Sequence, residues 1–194
     1  MMHQPEESIV SKSDPAPDER LRQLRRTRQY REFDEAPVDN ADLDALLDVA
    51  RWSGSSENTQ PWRFIVIRDP ATIRAIRDLG QPQTRGLTTA QAAIAIVVPS
   101  DPKRAVGRAY DEGRVAERLL IGAGMLDLGA GISWIVADAR EAVGKLLGVP
   151  ADRMVRTMIQ IGHPTAAARK PKSAPGKARL PREEVVFEER WPSD

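Results

Sequence analysis

The chain of 194 residues contains no cysteine and only two histidines, His3 and His163. The absence of cysteine excludes disulfides, thiolate metal centres and cysteine nucleophiles. With only two histidines, a histidine-based metal site or a Ser-His-Asp triad is not favoured. Charge of one sign is also scarce, because 29 basic and 28 acidic residues leave a formal net charge of +1. General binders of nucleic acid or acidic membranes usually carry a clear excess of one sign, so we expect neither partner.

Long hydrophobic runs are equally scarce. No apolar run approaches the ~20 residues that span a bilayer, and residues 1–20 lack the apolar segment of a signal peptide. The 41% hydrophobic and 29% charged residues are typical of a soluble globular protein, and the length suits one domain. We therefore expect a single cytoplasmic domain over residues 18–194, preceded by a disordered, proline-containing tail over residues 1–17.

Helical and strand-like patterns alternate along the chain. The helices are predicted from residue 18 and over residues 40–51, 71–79, 103–128 and 139–148. The strands are predicted over residues 63–69, 92–99, 130–136 and 154–161. Because the alternation is loose, the pattern alone allows an α+β or an α/β fold. Residues 164–194 form an arm, rich in Pro, Ala and basic residues up to residue 181 and strand-like afterwards, that can reach its own core or a second subunit.

Three stretches of the sequence are candidate sites. RRTRQYR, residues 25–31, presents guanidinium groups that pair well with phosphate oxygens, although a solvated helix face is the alternative. The loop with Ser55, Asn58 and Gln60 offers donors and acceptors, although a helix C-cap followed by a connector has the same composition. LGAGISWI, residues 128–135, has glycines that allow close backbone approach to a flat ligand.

The acidic pairs in the sequence, Asp111-Glu112 and Glu183-Glu184, are interpreted as solvated surface charges. Asp111 and Arg114 are spaced i, i+3 and are expected to pair on a helix surface. On this interpretation neither pair supports a glycosidase or a metal site.

Five motifs in order resemble the nitroreductase family of flavin-dependent oxidoreductases over residues 20–191. They are RQYREFDEAPV (28–38), WSGSSENTQPWRFIVI (52–67), DEGRVAERLLIGAGMLDLGAGISWI (111–135), IGHP (161–164) and RLPREEVV (179–186). The chain departs from the family pattern at Thr27, Gln29 and Gly54, where the family often has Arg or His, Ser, and Pro.

The resemblance implies an α+β, nitroreductase-like fold with a mixed central sheet flanked by helices, and a homodimer that exchanges the C-terminal arm. It also implies a bound FMN, with Arg28 and Gln29 at the phosphate and Arg31 facing the flavin N1/O2 edge. A second phosphate ligand, Arg179, is implied to arrive across the dimer interface. The full set of implied FMN-binding residues is Arg28, Gln29, Arg31, Ser55, Asn58, Gly131, Ile132, Ser133 and Arg179.

The implied activity is hydride transfer from NAD(P)H through flavin N5 to a nitroaromatic, a quinone or a similar flat acceptor. No side chain is needed as a catalytic base, which suits the scarcity of His and Cys. Two alternatives stay open: a flavin-destroying enzyme like the 5,6-dimethylbenzimidazole synthases, and a non-catalytic protein that binds or sequesters flavin. The sequence does not choose among NADH, NADPH and a deazaflavin as donor.

Overall fold

A computed structural model describes residues 16–174 and 176–192. The predicted N-terminal tail lies outside these residues, apart from its last two positions, where the first helix begins at Pro17. The helices are α1 (Pro17–Arg20), α2 (Arg22–Arg26), α3 (Asn40–Arg51), α4 (Pro70–Leu79), α5 (Ala105–Met125), α6 (Ala137–Leu146) and α7 (Ala166–Arg169). The strands are β1 (Arg63–Ile67), β2 (Ala92–Pro99), β3 (Gly129–Trp134) and β4 (Arg153–Gly162).

The four strands form one sheet in the order β1-β2-β4-β3. All three pairings are antiparallel, so within the described part of one chain no parallel pair contributes to the mixed sheet that the resemblance implied. The helices lie between and against these strands, and the α+β class is confirmed. Each predicted strand and each long predicted helix is present, with bounds that differ by a few residues.

Strand β2 explains why the sheet is covered on both faces. Its sequence AAIAIVVP is apolar at every position, and all but the final proline are buried. Residues Ile94 and Ile96 pack into a cluster with α3 and α5, whereas Ala93, Ala95 and Val97 face a second cluster with α4 and α6. A strand with helices on both faces needs this continuous apolar sequence.

The C-terminal arm differs from this core. From Arg169 to Pro192, every described residue is exposed. The strand-like sequence around residues 183–191 forms no strand within the described range and contains a 3-10 helix, Arg182–Glu184. Val185 is 55% exposed and Trp191 is 80% exposed. The arm therefore carries apolar side chains that the described chain does not bury.

Within the two described ranges, no helix has both the length and the apolar character needed to cross a membrane.

Candidate functional site

Residues 28–31 form a short segment that lies along β3. The Tyr30 N–H donates to the Ala130 carbonyl at 2.8 Å, and the Ile132 N–H donates to the Gln29 side-chain oxygen at 3.1 Å. Gly131 makes this approach possible, because a Cβ at that position would lie 2.3 Å from the Tyr30 carbonyl oxygen. The close backbone approach expected of Gly131 is thus made by the chain's own segment. The arginine motif and the glycine-containing strand, separate in the sequence, meet here.

Arg28 joins this segment to α7. Its Nε donates to the Tyr30 hydroxyl at 3.0 Å, and its two terminal nitrogens donate to the carbonyls of Ala168, Arg169 and Lys170. These carbonyls belong to the C-terminal end of α7, where a cation is favoured by the unpaired carbonyls. A guanidinium has five N–H groups, and the described residues bind four of those of Arg28. Among the described residues, one N–H of Arg28 is left for a ligand.

A cavity of about 650 Å³ opens beside Arg28 and Gln29. Its charged lining is strongly basic, with a single acid, Glu117, among five cations. The cations are Arg25, Arg26, Arg28, Lys172 and Arg179. We call this cavity the cationic pocket. Arg179, which the resemblance implies is supplied by a second copy, lines the cationic pocket within this single chain.

The loop over residues 55–60 is the second part of the candidate site. It contains a 3-10 turn, Ser56–Asn58. Glu57, Asn58 and Gln60 have positive φ angles of 54°, 53° and 45°, a region that residues other than glycine seldom occupy. The Ser55 hydroxyl oxygen accepts from the Gln60 N–H at 2.9 Å and closes the loop. Strained backbone of this kind is concentrated at functional sites.

Charged side chains of α5 hold this loop in place. Asp111 accepts from the Ser56 N–H at 3.1 Å, and Arg108 donates to the Thr59 hydroxyl at 3.1 Å and lies 3.6 Å from Asp111. The expectation that Asp111 is a solvated charge paired with Arg114 is wrong, because Asp111 is 2% exposed. Arg114 instead packs against Gly54, where a Cβ would lie 2.1 Å from its guanidinium.

Glu112 is also buried, at 2% exposed, and forms an ion pair with Arg156 of β4. Burial raises the pKa of the Glu112 carboxyl above its ordinary value, because desolvation outweighs the attraction of Arg156. The helical spacing of Asp111, Val115 and Leu119 places Asp111 on the core face of α5, and this spacing was the available signal.

The nine residues implied by the resemblance fall into two groups. Arg28, Gln29 and Arg179 line the cationic pocket, and the β3 residues Gly131, Ile132 and Ser133 lie against the same segment, with the Ser133 hydroxyl donating to Gln160. Arg31 is exposed at the end of the segment. Ser55 and Asn58 form the other group on loop 55–60. Within the described residues, no hydrogen bond or ion pair joins that loop to residues 28–31.

Comparison with known proteins shows which family this chain resembles. The model of the "Nitroreductase family" matches residues 24–90, which include residues 28–31 and loop 55–60. A protein of Archaeoglobus fulgidus, with the provisional name NADH dehydrogenase/NAD(P)H nitroreductase, is 29% identical over 76% of this chain and 86% of its own length. The NADH dehydrogenase of Thermus thermophilus is 27% identical over 89% of this chain and 97% of its own length.

The fold agrees with these sequence matches. The FMN-dependent nitroreductase of Clostridium difficile superimposes with a TM-score of 0.74 at 23% identity, covering 86% of this chain and 97% of that protein. The sequence matches, the fold and the order of the motifs all point to the nitroreductase family, which this chain resembles.

Proposed function

We propose that this oxidoreductase binds FMN and transfers hydride from NAD(P)H to a nitroaromatic, a quinone or a similar flat acceptor. The observation that carries the proposal is the cationic pocket, in which Arg28, Gln29 and Arg179 come together from distant parts of the described chain. We propose that residues 18–194 form one domain. The likeness to proteins named as NAD(P)H and FMN-dependent nitroreductases supports the choice of donor and cofactor.

The donor set of the cationic pocket fits a phosphate group. Five cations and one acid favour a dianion, and guanidinium groups pair with phosphate oxygens through charge-assisted hydrogen bonds. Its volume of about 650 Å³ lies within the usual range for small-molecule sites. Among the described residues, Arg179 has one N–H bonded, to the Ala178 carbonyl, so it has more donors to offer than Arg28. In this proposal Arg179 grips the phosphate and Arg28 adds a contact while it fixes α7.

Arg31 lies three residues after Arg28 and is exposed. A guanidinium beside the N1/O2 edge of a flavin stabilises negative charge there and raises the reduction potential. When bound, FMN supplies the hydride chemistry at N5. The chain's own task is to bind and orient the flavin and to fix charge next to it, so no catalytic acid or base is assigned.

The complete site is proposed to need two copies of the chain. Ser55 and Asn58 are anchored to α5, away from the hydrogen bonds of residues 28–31. A second copy can supply its loop 55–60 to the first copy's cationic pocket. The exposed face of α5 supports such pairing, because Val106 and Tyr110 are each 74% exposed and an open, mainly apolar cavity of about 630 Å³ lies along Tyr110, Gly113 and Arg114.

The C-terminal arm supports pairing independently. Val185, Phe187 and Trp191 are exposed apolar residues of the arm. Their burial against a second subunit would lower the free energy of the assembly. We propose that residues after Arg179 cross to the partner and add to its sheet.

The decisive experiment is the visible spectrum of the purified protein. We expect flavin absorption bands that bleach when NAD(P)H is added without oxygen and return when a quinone is added. A colourless protein that does not take up added FMN would contradict the proposal. Steady NAD(P)H consumption with an acceptor distinguishes this function from flavin sequestration, and conversion of FMN to dimethylbenzimidazole would instead identify the synthase.

A further inference from the structure

Gln160 of β4 contacts two parts of the candidate site, residues 28–31 and β3. Its side chain is 1% exposed. The amide nitrogen donates to the Tyr30 carbonyl at 2.8 Å, and the amide oxygen accepts from the Ser133 hydroxyl. Because a carbonyl can only accept, the nitrogen must face Tyr30, and this fixes the orientation of the amide.

Two glycines leave the space that this amide occupies. A Cβ at Gly86, in the 3-10 helix Arg85–Thr88, would lie 2.0 Å from the Gln160 amide nitrogen. A Cβ at Gly131 would lie 2.7 Å from the same atom. Three chain segments therefore close around one polar side chain, and a buried polar group of this kind specifies a unique arrangement when it is fully bonded.

The Tyr30 peptide depends on Gln160 for its position. The Tyr30 N–H donates to the Ala130 carbonyl. The Ile132 N–H, which is also nearby, donates to the Gln29 side chain and not to the Tyr30 carbonyl. The Gln160 amide takes that place. Tyr30 lies between Gln29 and Arg31, so a shift of its peptide would move every candidate ligand of residues 28–31.

We propose that Gln160 is a positioning residue for phosphate binding: through the Tyr30 carbonyl it holds Arg28 and Gln29 at the cationic pocket. The proposal rests on the proposed FMN function. Loss of the Gln160 amide leaves a buried carbonyl without a donor, a change that the chain relieves by moving the segment. The moved segment should therefore weaken contacts to the phosphate of FMN more than contacts to its ring.

The test compares FMN with riboflavin, which lacks the phosphate, in fluorescence titrations of the full chain. In Gln160→Met we expect the dissociation constant of FMN to rise about tenfold or more, equivalent to ~1.4 kcal/mol, and that of riboflavin to rise less than about threefold, equivalent to ~0.65 kcal/mol. The control is Gln91→Met, which removes a glutamine whose side-chain amide, among the described residues, bonds to the local Thr89 carbonyl alone. It should leave both constants unchanged.

A second variant, Gln160→Glu, tests the hydrogen bond itself. An ionised carboxylate repels the Tyr30 carbonyl, whereas a protonated one donates to it. The ratio of FMN dissociation constants, variant over wild type, should fall as the pH is lowered from 8 to 5.5, while the ratio for Gln91→Met stays flat. Ser133→Ala, which removes the hydroxyl that donates to Gln160, should weaken FMN by a smaller factor and riboflavin less than FMN. This difference between the two ligands serves as the test if the Gln160 variants do not fold.

The outcomes separate this proposal from the function. If wild-type protein binds neither ligand, the FMN function fails. If wild type binds FMN but the folded variants weaken FMN and riboflavin equally, or weaken neither, the positioning role of Gln160 is overturned while the FMN function stands.

Discussion

Residues 28–31 and loop 55–60 are both polar and both proposed to contact one flavin, yet the fold fixes them by different chemistry. The first segment is held on the sheet by neutral amides, Gln29 and Gln160. The second is held on α5 by the charged side chains of Asp111 and Arg108. Loop 55–60 also keeps three non-glycine residues at positive φ, whereas residues 28–31 contain none. The loop therefore depends more on its anchors, and removing one anchor should release it.

The largest expected effect concerns the arm, which is associated with the first segment through Arg179. Deleting residues 176–194 removes Arg179 and the exposed apolar residues together. We expect loss of FMN and of the dimer, with a tendency to aggregate, because folding, pairing and ligand binding are linked. Analytical ultracentrifugation and the visible spectrum measure both. A truncated protein that stays monomeric and yellow would show that the arm is only a tail.

The next effect tests the charged anchor of loop 55–60. Asp111→Ala leaves the Ser56 N–H without its acceptor and the half-buried Arg108 without its acidic neighbour, so the free energy of unfolding should fall by about 3 kcal/mol. Urea unfolding measures the change. Asp48→Ala is the matched control, because Asp48 is exposed and its pairing with Arg51 is a surface contact, worth about 0.5 kcal/mol. Equal losses in the two variants would contradict an anchoring role for Asp111.

Arg28→Ala tests the first segment directly. We expect FMN binding to weaken by ~1.5–3 kcal/mol, the scale of a charge-assisted hydrogen bond. Fluorescence titration measures the dissociation constant. Since Arg28 also bonds to the carbonyls at the end of α7, riboflavin serves as the control ligand. An unchanged FMN dissociation constant would remove Arg28 from the phosphate site.

The smallest effect is expected at Arg31, which lies at the exposed end of the same segment. Arg31→Gln should lower the flavin midpoint potential by roughly 10–30 mV, the equivalent of about 0.5–1.4 kcal/mol for two electrons, and slow reduction by NAD(P)H while the site still fills. Spectroelectrochemistry measures the potential. Arg74→Gln, on the exposed face of α4, is the control. Equal potentials in wild type and Arg31→Gln would reject the tuning role.

The fold was largely predictable because its signals are local. The continuous apolar sequence of β2 and the helix after Pro70 follow from periodicity and capping, and Asp69 does accept from the N–H groups of Ala71 and Thr72. The strand-like sequence near Val185 forms no strand in the described chain, because a strand needs a partner that local sequence does not specify.

The site was predictable in its parts and less so in its assembly. The arginine motif and loop 55–60 were found from residue types, whereas Asp111, Glu112 and Gln160 were missed or misassigned. Their burial depends on which helix or strand packs opposite, a property of the tertiary fold. The helical spacing of Asp111 with Val115 was a usable signal, but nothing near Gln160 in the sequence points to Tyr30, 130 residues away.

The exposure of Trp191, at 80%, has a practical consequence. The chain has four tryptophans, and Trp62 is 4% exposed in the core, so its emission wavelength is set by the fold alone. Trp191 stands at the far end of the arm beside Phe187, and its indole emission responds to whether water or protein surrounds it. The protein thus carries its own optical probe. If the arm crosses to a partner as proposed, diluting the protein should shift the emission to longer wavelength as the arm is released, without any added label, and Trp191→Phe should reduce that shift.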